Sequence, residues 1–422
     1  MKLYCGIDWA EAHHDVAIID DAGRVVSSNR IGNDVAGFAQ LLTMLAESGD
    51  TPANPVPVAI ETDRGLLVGA LRATGRVTYP INPLTASPYR SRHQVSGAEA
   101  DASATVLLAN IVRTDAAAHR PLSTDAELAQ AVRWLARAQQ DAVWARQQLG
   151  NQVRSLIKDF YSAALEAPAA LGRGGLARDA RTVLAAAPTP DRSTKPTRPQ
   201  LRGLQGKSGR QRSIDTDVDR LRTVFRANYL HQLVMAENAM GIQLASLLRQ
   251  FDAACTAAEK SAEAARAHCE GHPDATTTSF PGLGSLAGAR LGETGDDRKR
   301  FTDARGLKAF AGSATTTRAS GKKTVVLHRQ IKNRCLAVVG SIWSMWSLRA
   351  SPGARHHFDA RRVARDWNQH AQRRPFNKFL GQLHHCLQPG CLYDEHRAFH
   401  LHTRGLTLNS VKCLVLKLLP PG

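Results

Sequence analysis

Leu3-Tyr4-Cys5-Gly6-Ile7-Asp8 is a short apolar run tipped by a carboxylate, and a second run, Val16-Ala17-Ile18-Ile19, follows it closely. The pattern returns at Pro57-Val58-Ala59-Ile60, which delivers Glu61. Apolar runs this short, without polar alternation, are strands buried on both faces. Carboxylates at their ends lie where metal ligands at a sheet edge would lie. A plain strand-end turn is the competing reading for Asp8.

Outward from this stretch, strand and helix patterns alternate. Strands are expected at 3–8, 14–20 and 24–31, with Asp21-Ala22-Gly23 as the turn between the last two. Phe38, Leu41, Leu42 and Leu45 fall on one helical face. Strand 56–61, helix 65–74 and strand 76–81 come next, and prolines 80, 83 and 88 punctuate the exit from the sheet. A helix from about 100 to 113, with Leu107, Leu108, Ile111 and Val112 inward, closes the unit over residues 1–115. This order predicts an α/β ribonuclease-H-like (RuvC-type) fold. A dinucleotide-binding fold shares the alternation but needs a glycine-rich loop after its first strand, and Asp8-Trp9-Ala10-Glu11 is not one.

The charge balance points to a partner class. Fifty-five Lys and Arg against 37 Asp and Glu give +18 over 422 residues, too long a chain for one core. A basic surplus spread along the whole chain fits phosphate, and arginine, its main source, binds phosphate with a planar fork. No apolar run is long enough to span a bilayer and no signal-peptide pattern opens the chain, so a cytoplasmic location is expected, without a membrane partner. Seven cysteines at irregular spacing argue against a disulfide framework.

After the first unit the pattern changes. Leu128, Val132, Leu135, Ala142, Leu149, Val153, Leu156 and Phe160 form a seam interrupted by Gln139 and Arg146. A coiled-coil helix over 116–167 is expected, and a long helix packed within its own domain fits equally well. Residues 168–215 read as a basic, mobile linker, and 216–270 as a second helical segment. A mostly α domain over 271–402 opens with Pro281-Gly282-Leu283-Gly284, which has the look of a helix-hairpin-helix turn whose backbone N–H groups at Gly282 and Gly284 reach a phosphate. Trp343 and Trp346 read as core. Residues 403–422 fit no packed pattern.

Together these segments resemble the insertion-sequence one-ten family of transposases, the bridge-RNA-guided recombinases, over about residues 1–400. Gly6-Ile7-Asp8 and Ile60-Glu61-Thr62 match the first two of the family's four acids, in the order Asp, Glu, Asp, Asp. Asp101 fits the third, whereas the fourth falls on Ala104 and the usual Lys on Glu99. Pro281-Gly282-Leu283-Gly284, Phe310-Ala311-Gly312 and Arg318-Ala319-Ser320-Gly321-Lys322 match the family's transposase domain, with Thr315 where a Pro is usual. His384 through Glu395 resembles the tail of actinobacterial-type members. Cys386, Cys391, His396 and His400 have a spacing that invites a zinc reading, but the wide Cys–Cys gap and this resemblance weigh against it.

The resemblance implies the chemistry. Asp8, Glu61 and Asp101 would hold Mg²⁺, since clustered carboxylates repel unless a cation neutralises them. Ser320 would be the nucleophile, forming a covalent 5′-phosphoserine link, while Arg318, Lys322 and Lys323 hold the scissile phosphate. Local sequence alone reads as a Ser-Gly turn with solvated lysines. The implied partners are target and donor DNA, a structured guide RNA from the same element, and further copies of the chain as a homodimer or tetramer. Three rivals stand beside this reading. They are a metal-dependent nuclease or resolvase without serine covalency, a decayed nucleic-acid-binding transposase suggested by Ala104, and a sugar-kinase or actin-like ATPase. The last lacks the second Asp-x-Gly phosphate loop it needs.

Overall fold

The computed structural model describes residues 2–86, 89, 101–122, 125–170, 176–271, 276–295, 300–321 and 323–399, with backbone only at 101–103, 168–170 and 323. Two compact units result: Met1–Gln130 together with His272–Gly422, and Ala131–Gly271. Among the described residues no helix is long and apolar enough to cross a membrane.

The N-terminal part of the first unit runs β1 (Tyr4–Trp9), β2 (His13–Ile19), β3 (Val25–Gly32), α1 (Val35–Glu47), β4 (Val58–Ile60), α2 (Leu66–Ala73), β5 (Thr78–Pro80) and α3 (Asp101–Asp115). The sheet order is β3-β2-β1-β4-β5. Strands β1 to β3 are antiparallel neighbours, while β4 and β5 run parallel to β1. The order of elements is the one the apolar runs predict.

Both faces of the sheet are covered, which is why its central strands lack polar alternation. Cys5, Ile7, Val16, Ile18, Val58 and Ile60 pack with Leu41 and Leu45 of α1 and Leu67, Val68 and Leu71 of α2. On the opposite face Ala59 packs with Leu107, Leu108, Ile111 and Val112 of α3. Asp34 caps α1 by accepting from the Gly37 N–H at 2.7 Å. Asp20 holds the β2–β3 turn by accepting from the N–H groups of Ala22 and Arg24, and Gly23 supplies the positive φ of +80°.

The C-terminal part contains α11 (Ser285–Leu291), α12 (Ala304–Phe310), β6 (Thr316–Ser320), β7 (Lys323–Leu327), α13 (Arg334–Ala350), α14 (Pro352–Val363), α15 (Asn368–Leu387) and α16 (Glu395–Phe399). Trp343 is fully buried at its centre, stacked 5.1 Å from Phe379 and edge-on to Phe280. Its indole N–H donates to the Pro281 carbonyl at 3.0 Å, satisfying the one polar atom this core side chain carries. Trp346, read as core from sequence, is instead half exposed, with the Arg349 guanidinium 5.2 Å above its ring.

A strap of chain after α3 joins these two parts. The Leu122 N–H donates to the Thr78 carbonyl beside β5, and Arg72 of α2 lies 3.5 Å from the buried Asp125. The Arg120 guanidinium sits 5.1 Å from the Phe301 ring and 5.9 Å from that of Phe310. Burial there lowers its pKa.

The second unit is helical: most of α4 (Glu127–Phe160), then α5 (Ser162–Ala170), α6 (Arg178–Ala186), α7 (Pro190–Thr194), α8 (Arg198–Lys207), α9 (Ile214–Phe225) and α10 (Val234–Glu270). Gly150 of α4 faces Phe251, whereas the Asp159 carbonyl accepts from Gln232, so the two long helices run antiparallel. Rather than forming only a two-helix seam, Val153, Leu156, Ile157 and Phe160 pack with Leu244 and Leu248 and with residues of α5, α6, α8 and α9. The expected linker at 168–215 is therefore corrected. Its Ala180, Val183, Leu184 and Leu201 belong to this core, and Arg210 pairs with the buried Asp179 and Asp217.

Candidate functional site

Parallel pairing decides where the first two acids meet. Ile7 of β1 lies opposite Ile60 of β4, so Asp8, near the end of β1, and Glu61, just past β4, follow at the same step of adjacent parallel strands. Both are half-buried, and each engages at least one neighbour. Successive residues of a strand alternate faces, so Asp8 shares a face with Gly6.

Gly6 is the point at which α3 crosses the sheet. A Cβ on it would stand 2.0 Å from the Thr105 carbonyl oxygen and 2.7 Å from the Ala109 nitrogen. The direction of α3 follows from its other end, where Arg113 donates to the Asp21 carbonyl by the β2–β3 turn. The helix therefore runs antiparallel to β1, and its start points to the edge carrying Asp8 and Glu61. Asp101 precedes Thr105 by about 6 Å of helix rise, and Asp8 follows Gly6 by a similar strand rise. The backbone thus brings the Asp101 position to that edge, while its side chain lies outside the described residues. Ala104, half-buried on the next turn, offers no oxygen there. Among the described residues no three His, Cys, Asp or Glu side chains are gathered closely enough to hold a metal ion.

Directly opposite Asp8 across the antiparallel pair is Asp15, which no sequence motif marks. Arg30 engages both of its oxygens at 2.9 Å, which holds the Asp15 carboxyl below the usual carboxylate range. Only the strand register could have revealed it.

Ser320 belongs to a different sheet, the two-stranded β6–β7 hairpin. It is the last residue of β6, exposed, and paired in register with Lys323. Gly321 takes the first position of the two-residue turn with φ of +55°, as the primed turns that match strand twist require. Arg318, two residues earlier on the same face, is also exposed. Lys322 and the Lys323 side chain lie outside the described residues.

Of the two glycines read as phosphate contacts, Gly282 is committed to packing. A Cβ there would meet the Ser347 nitrogen of α13 at 2.6 Å, and its φ is +79°. Gly284 has open space beside it at the start of α11. Cys386 lies in the C-terminal core, its thiol pushed up to about 11 chiefly by burial, while Cys391 is exposed and His400 lies outside the described residues.

The DEDD transposase model of the IS110 group matches residues 5–162, a span that contains the acidic edge. The model of the transposase IS116/IS110/IS902 family matches residues 275–356, which contain the serine hairpin. The chain is 54% identical over 402 residues to the protein described as the mini-circle transposase for IS117 of Streptomyces coelicolor, covering 94% of this chain and 97% of that one. It is 25% identical over 379 residues to an uncharacterized 42 kDa protein of the insertion element IS900 of Mycobacterium paratuberculosis, covering 86% and 89%. The DEDD match gives the N-terminal sheet its ribonuclease-H-like identity, and a likeness that runs through both ends assigns the whole to one lineage. This chain belongs to the IS110 family of insertion-sequence transposases.

Proposed function

We propose that this transposase is an RNA-guided recombinase in which Ser320 is the nucleophile. The observation that carries the reading is the setting of Ser320: exposed at a hairpin tip, beside a positive-φ glycine, with Arg318 on its face. The Ser320 Oγ attacks the phosphorus of a phosphodiester. The Oγ–P bond forms and the P–O3′ bond breaks, and the proton given up by the serine hydroxyl balances the one taken up by the 3′ oxygen, which leaves as a hydroxyl. A 3′ hydroxyl of the exchange partner then attacks the phosphoserine and regenerates the serine. Arg318, Lys322 and Lys323 supply positive charge to the phosphate during both steps.

Asp8, Glu61 and Asp101 form an oxygen-only donor set of the kind Mg²⁺ prefers. Bound there, Mg²⁺ would relieve their mutual repulsion and polarise a phosphoryl oxygen. The guide RNA and the pairing of copies rest on the family resemblance, in which acids of one copy complete the serine site of another. Ala104 favours a second reading, a chain that still binds nucleic acid but has lost strand cleavage.

The test incubates the full chain with the RNA flanking its gene and suicide DNA substrates, then resolves the products on a denaturing gel. The wild type should give a protein–DNA adduct and Ser320→Ala none. An adduct from Ser320→Ala removes the serine from the mechanism, and an undiminished yield without RNA removes the guide.

A further inference from the structure

The corner between α14 and α15 carries a charge density that the serine hairpin does not account for. Residues 361–374 contain five arginines and a single carboxylate, Asp366. Asp366 is shared by Arg361 at 2.7 Å and Arg374 at 3.9 Å, and Arg362 is turned onto its backbone carbonyl. Lys332 contacts His328 just after β7, so the positive surface continues toward the base of the Ser320 hairpin. Burial, together with the charges of Lys332 and Arg373, lowers the pKa of His328. Burial, together with Lys378, Arg361 and Arg374, lowers that of His357. Cations that add to burial in holding two histidines neutral mark a concentration of positive charge, which a polyanion relieves.

Two further features lie at the same corner. Trp367 is 80% exposed at the head of α15, a placement that a large aromatic ring gains nothing from in a lone chain. Arg365 stands in the left-handed region at φ of +63°. It is the residue after the α14 cap in a Schellman turn, in which the Arg365 N–H donates to the Arg362 carbonyl and the Asp366 N–H to that of Arg361. Glycine fits that position without strain, whereas arginine does not. A strained, exposed arginine next to an exposed indole points to a binding role.

We infer that the α14–α15 corner binds unpaired DNA, with Trp367 stacking on a base and Arg365, Arg361 and Arg374 holding the flanking phosphates. An indole can reach a base face only when that base is unpaired, so the site selects single strands over duplex. An acidic protein would satisfy the arginines but leaves the exposed ring unexplained. The inference rests on DNA being the transposase's substrate, but it is independent of Ser320 chemistry.

Fluorescence anisotropy of the full chain with a labelled single-stranded DNA oligonucleotide tests it. Trp367→Ala should weaken binding about tenfold and Trp367→Phe less than about threefold, because stacking tolerates any flat ring. Duplex of the same sequence should bind both variants and the wild type alike. Arg365→Gly should raise the melting temperature by about one to three degrees while weakening single-strand binding, an opposition that a purely structural residue does not produce. Equal affinity of wild type and Trp367→Ala for the single strand overturns the site. A Trp367 dependence seen with an RNA oligonucleotide and absent with DNA overturns the assignment of its ligand. Ser320→Ala serves as the control: unchanged affinity there, with adducts lost, separates this site from the cleavage chemistry.

Discussion

The backbone of Thr105 occupies the space that any side chain on Gly6 would need, at 2.0 Å from the carbonyl oxygen. This contact sets the height of α3 over the sheet, and with it the approach of the Asp101 position to Asp8. Any residue larger than glycine forces the helix away from the strand.

Gly6→Ala is therefore expected to destabilise the chain by about 2–3 kcal/mol, as overpacking against backbone does. It should also weaken Mg²⁺ binding, because the start of α3 moves off the edge. Thermal denaturation and calorimetric titration check the two effects, and a melting temperature equal to the wild type's would show that α3 is not seated on Gly6.

Ala104→Asp restores a carboxylate one turn from Asp101, on the same helical face. Its expected effect is tighter Mg²⁺ binding by calorimetry and, if the wild type is a poor cutter, a larger yield of DNA adduct. Identical Mg²⁺ affinity in the two proteins would mean that position 104 does not face the acids.

The hairpin turn makes a sharper distinction. Gly321→Asn keeps a residue that tolerates positive φ, whereas Gly321→Val places a β-branched side chain where it is strained. Adduct yield should survive the first change and fall roughly tenfold or more with the second, a loss of about 1.4 kcal/mol in transition-state positioning. Equal yields would show that the turn geometry is irrelevant to Ser320.

Asp15 supplies a pH signature. Arg30 lowers its folded-state pKa, chiefly through their side-chain hydrogen bonds, so the pair's contribution to stability is present above the unfolded carboxyl value of about 4. It is lost as pH falls through the lowered folded value. Arg30→Ala should thus be less stable than wild type at neutral pH, with the gap closing below about pH 4. A gap that stays constant through the acid limb would show that the pair does not carry it.

Nucleic-acid affinity as a whole should fall steeply with salt, since each phosphate contact releases condensed counterions. Anisotropy titrations between low and moderate salt should give a steep negative slope on logarithmic axes. A flat slope would detach the +18 charge from binding.

The sheet was legible because strands buried on both faces have little choice of composition. Leu3–Ile7 and Val58–Ile60 are nearly all apolar, and their carboxylates mark where they emerge. The strap and Asp15 were not legible, since both depend on long-range register. The helices within 168–215 went unread because their apolar positions are few and lie among arginines and prolines. Their signals were nonetheless present at the caps. Thr189 precedes Pro190 and accepts from the Arg192 N–H, and Thr197 with Gln200 completes a capping box ahead of α8. Composition argued for disorder where local hydrogen-bonding chemistry argued for helix starts. Asp101 is legible only by likeness to the family, because nothing in its own surroundings marks it as a ligand.

The clasp of Arg120 between Phe301 and Phe310 also imposes an order on synthesis. The sheet and its strap leave the ribosome about 180 residues before those rings do, an interval of about ten to forty seconds at ordinary elongation rates. Throughout it, a guanidinium destined for an aromatic seat stays in water, and the all-helical unit of Ala131–Gly271 is made in the meantime. The first unit is finished last, so a chain truncated before Phe301 retains a complete sheet and a complete middle but leaves Arg120 without its aromatic seat.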